Sequence, residues 1–197
     1  MGGFQQKMPR ATHTTVTDAE TVGGRLIRSY GNLAMAHYAV SRSVSTYSRT
    51  AYMVRSRLIR GLSEGTMSIG SILDDERAKF ENGLACAYCG SYSSPTVDHM
   101  MPRVRGGEDF AENLLPSCRS CNSSKGGADL LEWYERRGEF PPLLVLRRYL
   151  KVAWTTASRV GAHDWSMEEP RCEELPFDIE RVPVHFPPPS ALRLEAE

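Results

Sequence analysis

Four of the five cysteines form two Cys-x-x-Cys pairs, and this spacing constrains the fold more than any other feature of the sequence. The first pair is Cys86 and Cys89, and the second is Cys118 and Cys121. Paired cysteines of this kind, in a chain with no recognisable secretory leader, are typical of a metal site rather than of disulfides. Four thiolates complete a tetrahedral zinc site and leave no position for water. The sequence therefore predicts a structural zinc ion rather than a catalytic one.

A small module needs such an ion. The stretch from the first pair to the second is about forty residues, too short to hold itself together by apolar burial alone. A structural zinc site contributes roughly 10–16 kcal/mol of binding free energy in small peptides. A redox pair is the alternative interpretation, and two pairs flanking a compact insert fit it poorly. The fifth cysteine, Cys172, stands apart and is given no role.

Length and hydropathy indicate a soluble protein. The 197 residues suffice for one domain, or for a small catalytic module with helical additions. No apolar run approaches the length that crosses a bilayer. The first 17 residues mix polar and basic side chains without the apolar core of a signal peptide. We therefore expect a cytoplasmic protein that does not associate with membranes.

The net charge of zero hides an asymmetry along the chain. Residues 1–62 carry nine Lys or Arg and two Asp or Glu, a balance of +7, whereas residues 163–197 carry three and nine, a balance of −6. The basic N-terminal region suggests a surface that binds phosphate groups. Solvated surface at both ends is the alternative, which charge distribution alone does not exclude.

Apolar or semi-apolar residues alternate at spacings of four and three across residues 26–58, the pattern of an amphipathic or coiled-coil helix. The positions are Leu26, Tyr30, Leu33, His37, Val40, Val44, Tyr47, Ala51, Val54 and Leu58. A continuous helix could pair with a second copy of the chain. The segment 41–50 is rich in Ser and Thr, which are poor helix formers, so it permits a break. A helical hairpin or a helix packed on the rest of the chain is favoured, because the repeat contains His37, Tyr47 and Ala51 rather than uniform aliphatic residues.

Further helices are predicted at residues 72–82, 128–137 and 143–160, the first ended by Gly83 and the second by Gly138. Residues 164–197 are acidic and hold six of the twelve prolines, so this tail should run over the surface in an extended form, partly disordered or docked. The predicted division is a basic helical region at 1–70, a catalytic domain with flanking helices at 71–160 and an acidic Pro-rich tail at 161–197.

The residues that carry chemistry lie in and just after the insert between the cysteine pairs. They are, in order, Asp98-His99, Pro102, Gly106-Gly107, Asn113, Asn122 and Lys125-Gly126. Hydrolysis of a phosphodiester needs a base for water and a cation that offsets charge on the phosphate. Histidine is the side chain most often used as a base near neutral pH, which makes His99 the candidate, and the oxygens of Asp98 and Asn122 suit Mg²⁺ or Mn²⁺. Adjacent strand residues point to opposite faces, so Asp98 and His99 reach one phosphate only if the strand bends or ends there.

The order Cys-x-x-Cys, Asp-His-x-x-Pro, Gly-Gly, Asn-Leu-x-x-x-Cys-x-x-Cys-Asn and Lys-Gly at residues 86–126 resembles the HNH endonuclease family, which has the ββα-metal (His-Me finger) fold. The resemblance implies that His99 is the general base and that Asp98 and Asn122 hold a single divalent cation. It implies that Asn113 ties the loop that orients the histidine. The family often has His at the last position, and Asn122 is common in the branch with four cysteines, which leaves the preferred metal open.

Basic residues near this motif are candidates for nucleic-acid binding. Lys125, Arg103 and Arg105 lie where a cationic side chain could contact the scissile or a neighbouring phosphate. For Lys125, an ordinary solvated helix position is the alternative.

The predicted fold class is α+β: a small ββα-metal core stapled by the four-cysteine zinc site, with mostly helical N-terminal and C-terminal additions. The expected function is hydrolysis of DNA with one active site, so that one chain nicks and a homodimer through the N-terminal helical region cuts both strands. A role as nuclease subunit in restriction or antiviral defence, with a targeting or regulatory partner, is compatible with the sequence. The alternative is a zinc-stabilised nucleic-acid-binding protein that does not cut, in which Asp98 only bonds a loop and His99 is an ordinary polar residue.

Overall fold

The computed structural model describes residues 21–69 and 85–196. These residues contain five α-helices and two strands: α1 (Val22–Val40), α2 (Arg49–Ser63), β1 (Pro95–His99), β2 (Leu114–Cys118), α3 (Arg119–Lys125), α4 (Leu130–Arg136) and α5 (Leu143–Val160). The helix predicted at 72–82 lies outside the described residues. The expected fold class, a small two-stranded core with mainly helical additions, is confirmed. None of the described helices has the length and apolar character needed to cross a bilayer.

The apolar repeat at residues 26–58 folds as a hairpin of α1 and α2, so the break favoured by its Ser/Thr-rich segment is observed. Thr21 caps α1 by accepting from the backbone N–H of Gly24, and Ser48 caps α2 by accepting from that of Ala51. A serine side chain that binds the first turn offers the chain a new helix start in place of a continued helix. The two helices pack on each other, and α1 also packs on α5.

Strands β1 and β2 pair antiparallel, with Pro95 opposite Cys118 and His99 opposite Leu114. Strand β2 runs directly into α3, because Cys118 is both its last residue and the N-cap of the helix. The second cysteine pair therefore sits at a strand-to-helix junction, and α3 packs against both strands. This ββα unit is the part of the fold that carries the candidate site.

Helices α4 and α5 supply much of the buried core next to the ββα unit. Asp129 is buried at the N-cap of α4, where it accepts from the backbone N–H of Leu131 at 2.8 Å and from the Tyr149 hydroxyl at 2.7 Å. The helix predicted at 128–137 accordingly begins after this cap. Helix α5 has the predicted bounds, and its Leu146 and Leu150 are fully buried.

The acidic tail is docked on the helices rather than free. Its Phe177 and Val182 are buried in the core. The guanidinium of Arg25 donates to the carbonyl of Val182 at 2.8 Å, and the amide of Asn32 donates to that of Val184 at 2.8 Å. The tail has little regular structure apart from short 3₁₀ turns, and it ties α1 to the rest of the fold.

Candidate functional site

The four cysteines predicted to bind one metal lie together. Their sulfur atoms all fall within 4.8 Å of one another, and Cys89 Sγ is 3.8 Å from Cys118 Sγ. All four are free thiols. A tetrahedral ion with metal–sulfur bonds of about 2.3 Å separates its sulfur ligands by about 3.8 Å. The cluster therefore fits a four-thiolate metal site, and it frames the junction between β2 and α3.

The thiols of this cluster have different local environments. The backbone N–H of Cys121 points at Cys118 Sγ, 3.4 Å away, and this contact is the main reason that the pKa of Cys118 is lowered to about 7. Burial raises the pKa values of Cys89 and Cys121. Metal binding to this set would release protons, because the thiolate is the ligand.

Asp98 is a buried residue of β1, and its carboxylate contacts two polar side chains. Its Oδ2 accepts from the Tyr88 hydroxyl at 2.6 Å and lies 3.0 Å from Lys125 Nζ. Burial and the neighbouring Asp98 charge raise the pKa of Tyr88, so this hydroxyl stays a donor. Both partners use the same carboxylate oxygen, and no described residue is hydrogen-bonded to Oδ1.

Lys125 does not occupy the surface position expected for a phosphate contact. Its side chain is 0% exposed, and Nζ also donates to the carbonyl of His99 at 2.7 Å. A buried ammonium is stable only with such partners, so the cost of freeing it for a phosphate is high. In this structure Lys125 links α3 to the end of β1 instead.

His99 is the last residue of β1, and its ring is a quarter exposed. Its Nε2 lies 2.6 Å from Oδ1 of Asp109, in the loop after the two glycines. The pKa of Asp109 is lowered, first by this hydrogen bond and then by the charge of Arg103. With the proton on Nε2 facing a carboxylate, Nδ1 carries the lone pair. No described residue is bonded to Nδ1, and it is not among the buried polar atoms without a partner.

Asp98 and His99 thus have different surroundings, as strand alternation requires. Asp98 faces the interior and His99 faces the Asp109 loop. The expected irregularity is the end of the strand, since β1 stops at His99. The carboxylate and the imidazole are close along the chain, but they do not share one exposed surface in this structure.

Asn113 closes the loop that follows β1. It is fully buried, its Oδ1 accepts from the backbone N–H of Met101 at 2.7 Å, and its Nδ2 donates to the carbonyls of Met101 and Glu108, each at 2.9 Å. One side chain therefore fixes both ends of the loop. Asp109 follows Glu108 directly, so this network also sets where the partner of His99 lies.

Gly106 and Gly107 are each required by a different feature of the loop backbone. Gly106 has a φ of +87°, in the region that side chains disfavour. A Cβ at Gly107 would overlap the backbone carbonyl of Met101. The Gly-Gly pair is thus required by a left-handed turn and by a close backbone approach.

Asn122 follows Cys121 on α3 and faces β1. Its Nδ2 donates to the carbonyl of Val97 at 3.1 Å and lies 3.4 Å from Thr96 Oγ1. With the amide nitrogen turned to the strand, the amide oxygen is the atom available to a ligand. The cysteine cluster fixes the start of this helix and so fixes Asn122.

Arg103 and Arg105 begin and end a 3₁₀ turn after Pro102. Arg103 is 69% exposed, and its Nη1 lies 3.9 Å from Oδ2 of Asp109. A cation at this place is next to the partner of His99 and open to solvent. Arg105, at the end of the same turn, is partly buried.

Sequence reasoning missed three residues that hold the site. Asp109 could have been identified as a candidate partner of His99, since it is an acidic residue two positions after the Gly-Gly pair. Tyr88 lies inside the first cysteine pair, where its role as donor to Asp98 has no local signature. Arg148 of α5 donates to the carbonyls of Ala111 and Glu112, just before Asn113, and only the tertiary structure reveals it.

Comparison with known proteins identifies this region. Residues 86–127 match the family described as HNH endonuclease. The CRISPR-associated endonuclease Cas9 of Corynebacterium diphtheriae is 42% identical over 52 residues, which are 24% of this chain and 5% of that protein. The Cas9 of Actinomyces naeslundii is 32% identical over 79 residues, 38% of this chain and 7% of that protein.

The chain spans only a small fraction of the length of these curated relatives. No solved structure matches it. The family match covers β1, β2, α3 and both cysteine pairs. Residues 86–127 of this chain therefore form an HNH endonuclease domain.

Proposed function

We propose that this chain is a metal-dependent endonuclease that hydrolyses DNA phosphodiester bonds with His99 as general base. The observation that carries the proposal is the His99 ring, held through Nε2 by Asp109 at 2.6 Å and partly open to solvent. A base must be both oriented and reachable by water, and this ring meets both conditions. The HNH match and the relatives named as endonucleases support the same reaction class.

We propose one hard divalent cation, Mg²⁺ or Mn²⁺, because carboxylate and amide oxygens such as those of Asp98 and Asn122 are its preferred ligands. Oδ1 of Asp98 and the amide oxygen of Asn122 are the two oxygens that would hold it, and the bonds from Tyr88 and Lys125 fix the carboxylate that supplies the first. When bound, the cation offsets the negative charge that develops on the phosphate during hydrolysis.

In the proposed step, His99 Nδ1 takes a proton from a water molecule as the water oxygen bonds to phosphorus. One phosphorus–oxygen ester bond breaks, and the leaving oxygen is protonated from solvent. The imidazole becomes a cation, which Asp109 stabilises through Nε2. Arg103 lies beside this pair and is proposed to contact the phosphate backbone, with Arg105 in the same turn.

We assign zinc to the four-cysteine cluster, with a structural role. The assignment is supported by the close grouping of the four sulfur atoms, all within 4.8 Å of one another, and by the fact that four thiolates leave no open position on zinc. The ion would hold Cys118 and Cys121 at the start of α3, and Asn122 with them.

One such site cuts one strand at a time, so a single chain is expected to nick, and cutting both strands requires a homodimer or a second encounter. The relatives are named as CRISPR-associated endonucleases. That supports a role for this chain in antiviral defence or restriction, with a protein partner that selects the target.

The test is cleavage of supercoiled plasmid by the purified chain with added Mg²⁺ or Mn²⁺ and without either ion. Zinc content is measured in each sample, so that loss of the structural ion is not mistaken for loss of the catalytic one. Nicked circles that appear only with the added ion support the proposal. Binding of DNA with intact zinc and no cleavage under either ion would instead favour the non-catalytic binding protein.

A further inference from the structure

The exposed side of α2 carries arginines that form no ion pair with any described acidic residue, although Glu64 caps the end of the helix. Residues 21–63 hold seven arginines and no Asp or Glu. On α2, Arg49, Arg57 and Arg60 are exposed, together with Tyr52 and Met53. At 3.6 residues per turn, these positions fall on one side of the helix. We call this side the arginine face.

The arginines of this face differ from several other exposed arginines of the chain in having no acidic partner. No described residue forms an ion pair or side-chain hydrogen bond with Arg49, Arg57 or Arg60. By contrast, Arg136 pairs with Glu132 and Arg137 with Glu139, and Arg171 pairs with Glu169. The face is therefore positive through its own side chains; the nearest acidic residue along the chain is Glu64, the C-cap of α2, and it forms no ion pair with a described residue.

This arrangement has a cost in the absence of an anion. Arg57 and Arg60 are three residues apart, where like charges repel on a helix. Arg49 is the first residue of α2, where the helix dipole already disfavours a cation. An ordinary solvated helix mixes both signs of charge. Tyr52 is 51% and Met53 is 62% exposed, which adds contact surface between the arginines.

We propose that the arginine face binds the phosphate backbone of nucleic acid, as a second contact surface on a different element from the HNH domain. From Arg49 to Arg60 the helix rises about 16 Å, comparable with the axial rise of about five base pairs of duplex. Arginine is suited to this contact because its planar guanidinium binds phosphate through two donors. The choice of nucleic acid as the anion rests on the proposed function; the binding test below does not require cleavage.

The experiment measures binding of a short DNA duplex by the full chain across a range of salt concentrations, without added divalent ion and in a His99→Ala background. The test variant combines Arg49→Gln, Arg57→Gln and Arg60→Gln. The matched control combines Arg136→Gln, Arg137→Gln and Arg171→Gln, which removes the same charge from arginines that have acidic partners. A triple Arg→Lys variant of the face keeps the charge and checks that any loss is not due to misfolding.

Loss of three phosphate contacts should reduce the steepness of the negative slope of log K against log salt by about 2.7. It should also weaken binding at 0.1 M salt by at least about tenfold. The control should keep the parent slope, and the Lys variant should keep most of it. An unchanged slope in the Gln variant, or an equal drop in the control, would overturn the proposal. Loss of binding to anionic lipid vesicles with unchanged DNA binding would also overturn it, and would assign the face to a membrane surface.

Failure of this proposal is distinguishable from failure of the proposed function. If the chain with His99 intact nicks plasmid while the Gln variant binds duplex as the parent does, only the arginine face is misassigned. If the chain binds through the face and does not cut, the hydrolytic proposal fails and this one stands.

Discussion

The ammonium of Lys125 lies 3.0 Å from Oδ2 of Asp98, and both side chains are almost fully buried. Lys125 belongs to α3 and Asp98 to β1, so this ion pair joins the helix to the strand that ends in His99. The same ammonium donates to the carbonyl of His99. The buried ammonium of Lys125 therefore positions both the carboxylate of Asp98, the candidate metal ligand, and the backbone of His99, the candidate base.

Replacing Lys125 by Met should leave the Asp98 carboxylate buried without its cation. Removing one partner of a buried pair costs about 3–5 kcal/mol, and we expect a loss of that order in the free energy of unfolding. Arg119→Met, at an exposed position of the same helix, should change it by less than about 0.5 kcal/mol. Urea unfolding of both variants with zinc present is the measurement, and a Lys125→Met chain as stable as the Arg119→Met control contradicts the account.

Asp109→Asn should lower kcat with little change in KM. The carboxylate orients the His99 ring and stabilises its protonated form, and both effects act in the hydrolytic step. Asp109 is 65% exposed, so water replaces part of its effect and a decrease of about tenfold is expected. The ¹⁵N chemical shifts of the imidazole should show a loss of preference for the tautomer protonated at Nε2.

Glu108→Gln is the control for that variant, since Glu108 is also exposed in the same loop but pairs with Arg159. It should leave both kcat and the His99 tautomer unchanged. Equal effects of the two substitutions would mean that Asp109 acts only through the charge of the loop.

Substitution of Asn113 and substitution of Asn122 should both reduce cleavage, but only the first should strongly lower the free energy of unfolding. Asn113→Ala removes the partner of two carbonyls and one N–H in a buried loop, and we expect a cost of about 3 kcal/mol in the free energy of unfolding, with loss of cleavage. Asn122→Ala, at a half-buried position, should abolish cleavage at a cost of less than about 1 kcal/mol. Unfolding curves and plasmid nicking are measured on both, and full activity of Asn122→Ala contradicts its role as a ligand.

The zinc assignment predicts a sharp difference between cysteines. Cys121→Ser should release the ion, measured as zinc per chain, and should unfold the region around α3. Cys172→Ala should retain full zinc, because Cys172 lies in the tail, where its thiol donates to the carbonyl of Ser166. Loss of zinc from both variants, or from neither, is incompatible with the four-cysteine site.

The parts of the site that sequence could predict are those that local chemistry determines. The spacing of the cysteine pairs is set by the metal that they bind, whereas the Gly-Gly pair and Asn113 were indicated by the resemblance of the motif to the HNH family. The break after α1 was also predictable, because Ser48 caps a new helix within the Ser/Thr-rich segment.

What could not be predicted depends on contacts between distant parts of the chain. The burial of Lys125 follows from how α3 packs on β1, and its sequence position looks the same as that of a surface lysine. Arg148 binds carbonyls that lie more than thirty residues earlier in the chain. The tail is held on α1 by hydrogen bonds from Arg25 and Asn32 to its backbone carbonyls. These contacts cannot be predicted from a proline-rich acidic composition.

The central claim is that His99 is the base of a phosphodiester hydrolysis, and the most direct measurement is the nicking rate of supercoiled plasmid by His99→Ala with Mg²⁺ or Mn²⁺. Zinc content and the unfolding transition should match the parent chain, and His185→Ala, at an exposed position of the tail, is the control. Loss of general-base catalysis should lower the rate by a factor of about 10²–10⁴ in His99→Ala alone. A folded, zinc-loaded His99→Ala chain that nicks DNA as fast as the parent would contradict the account.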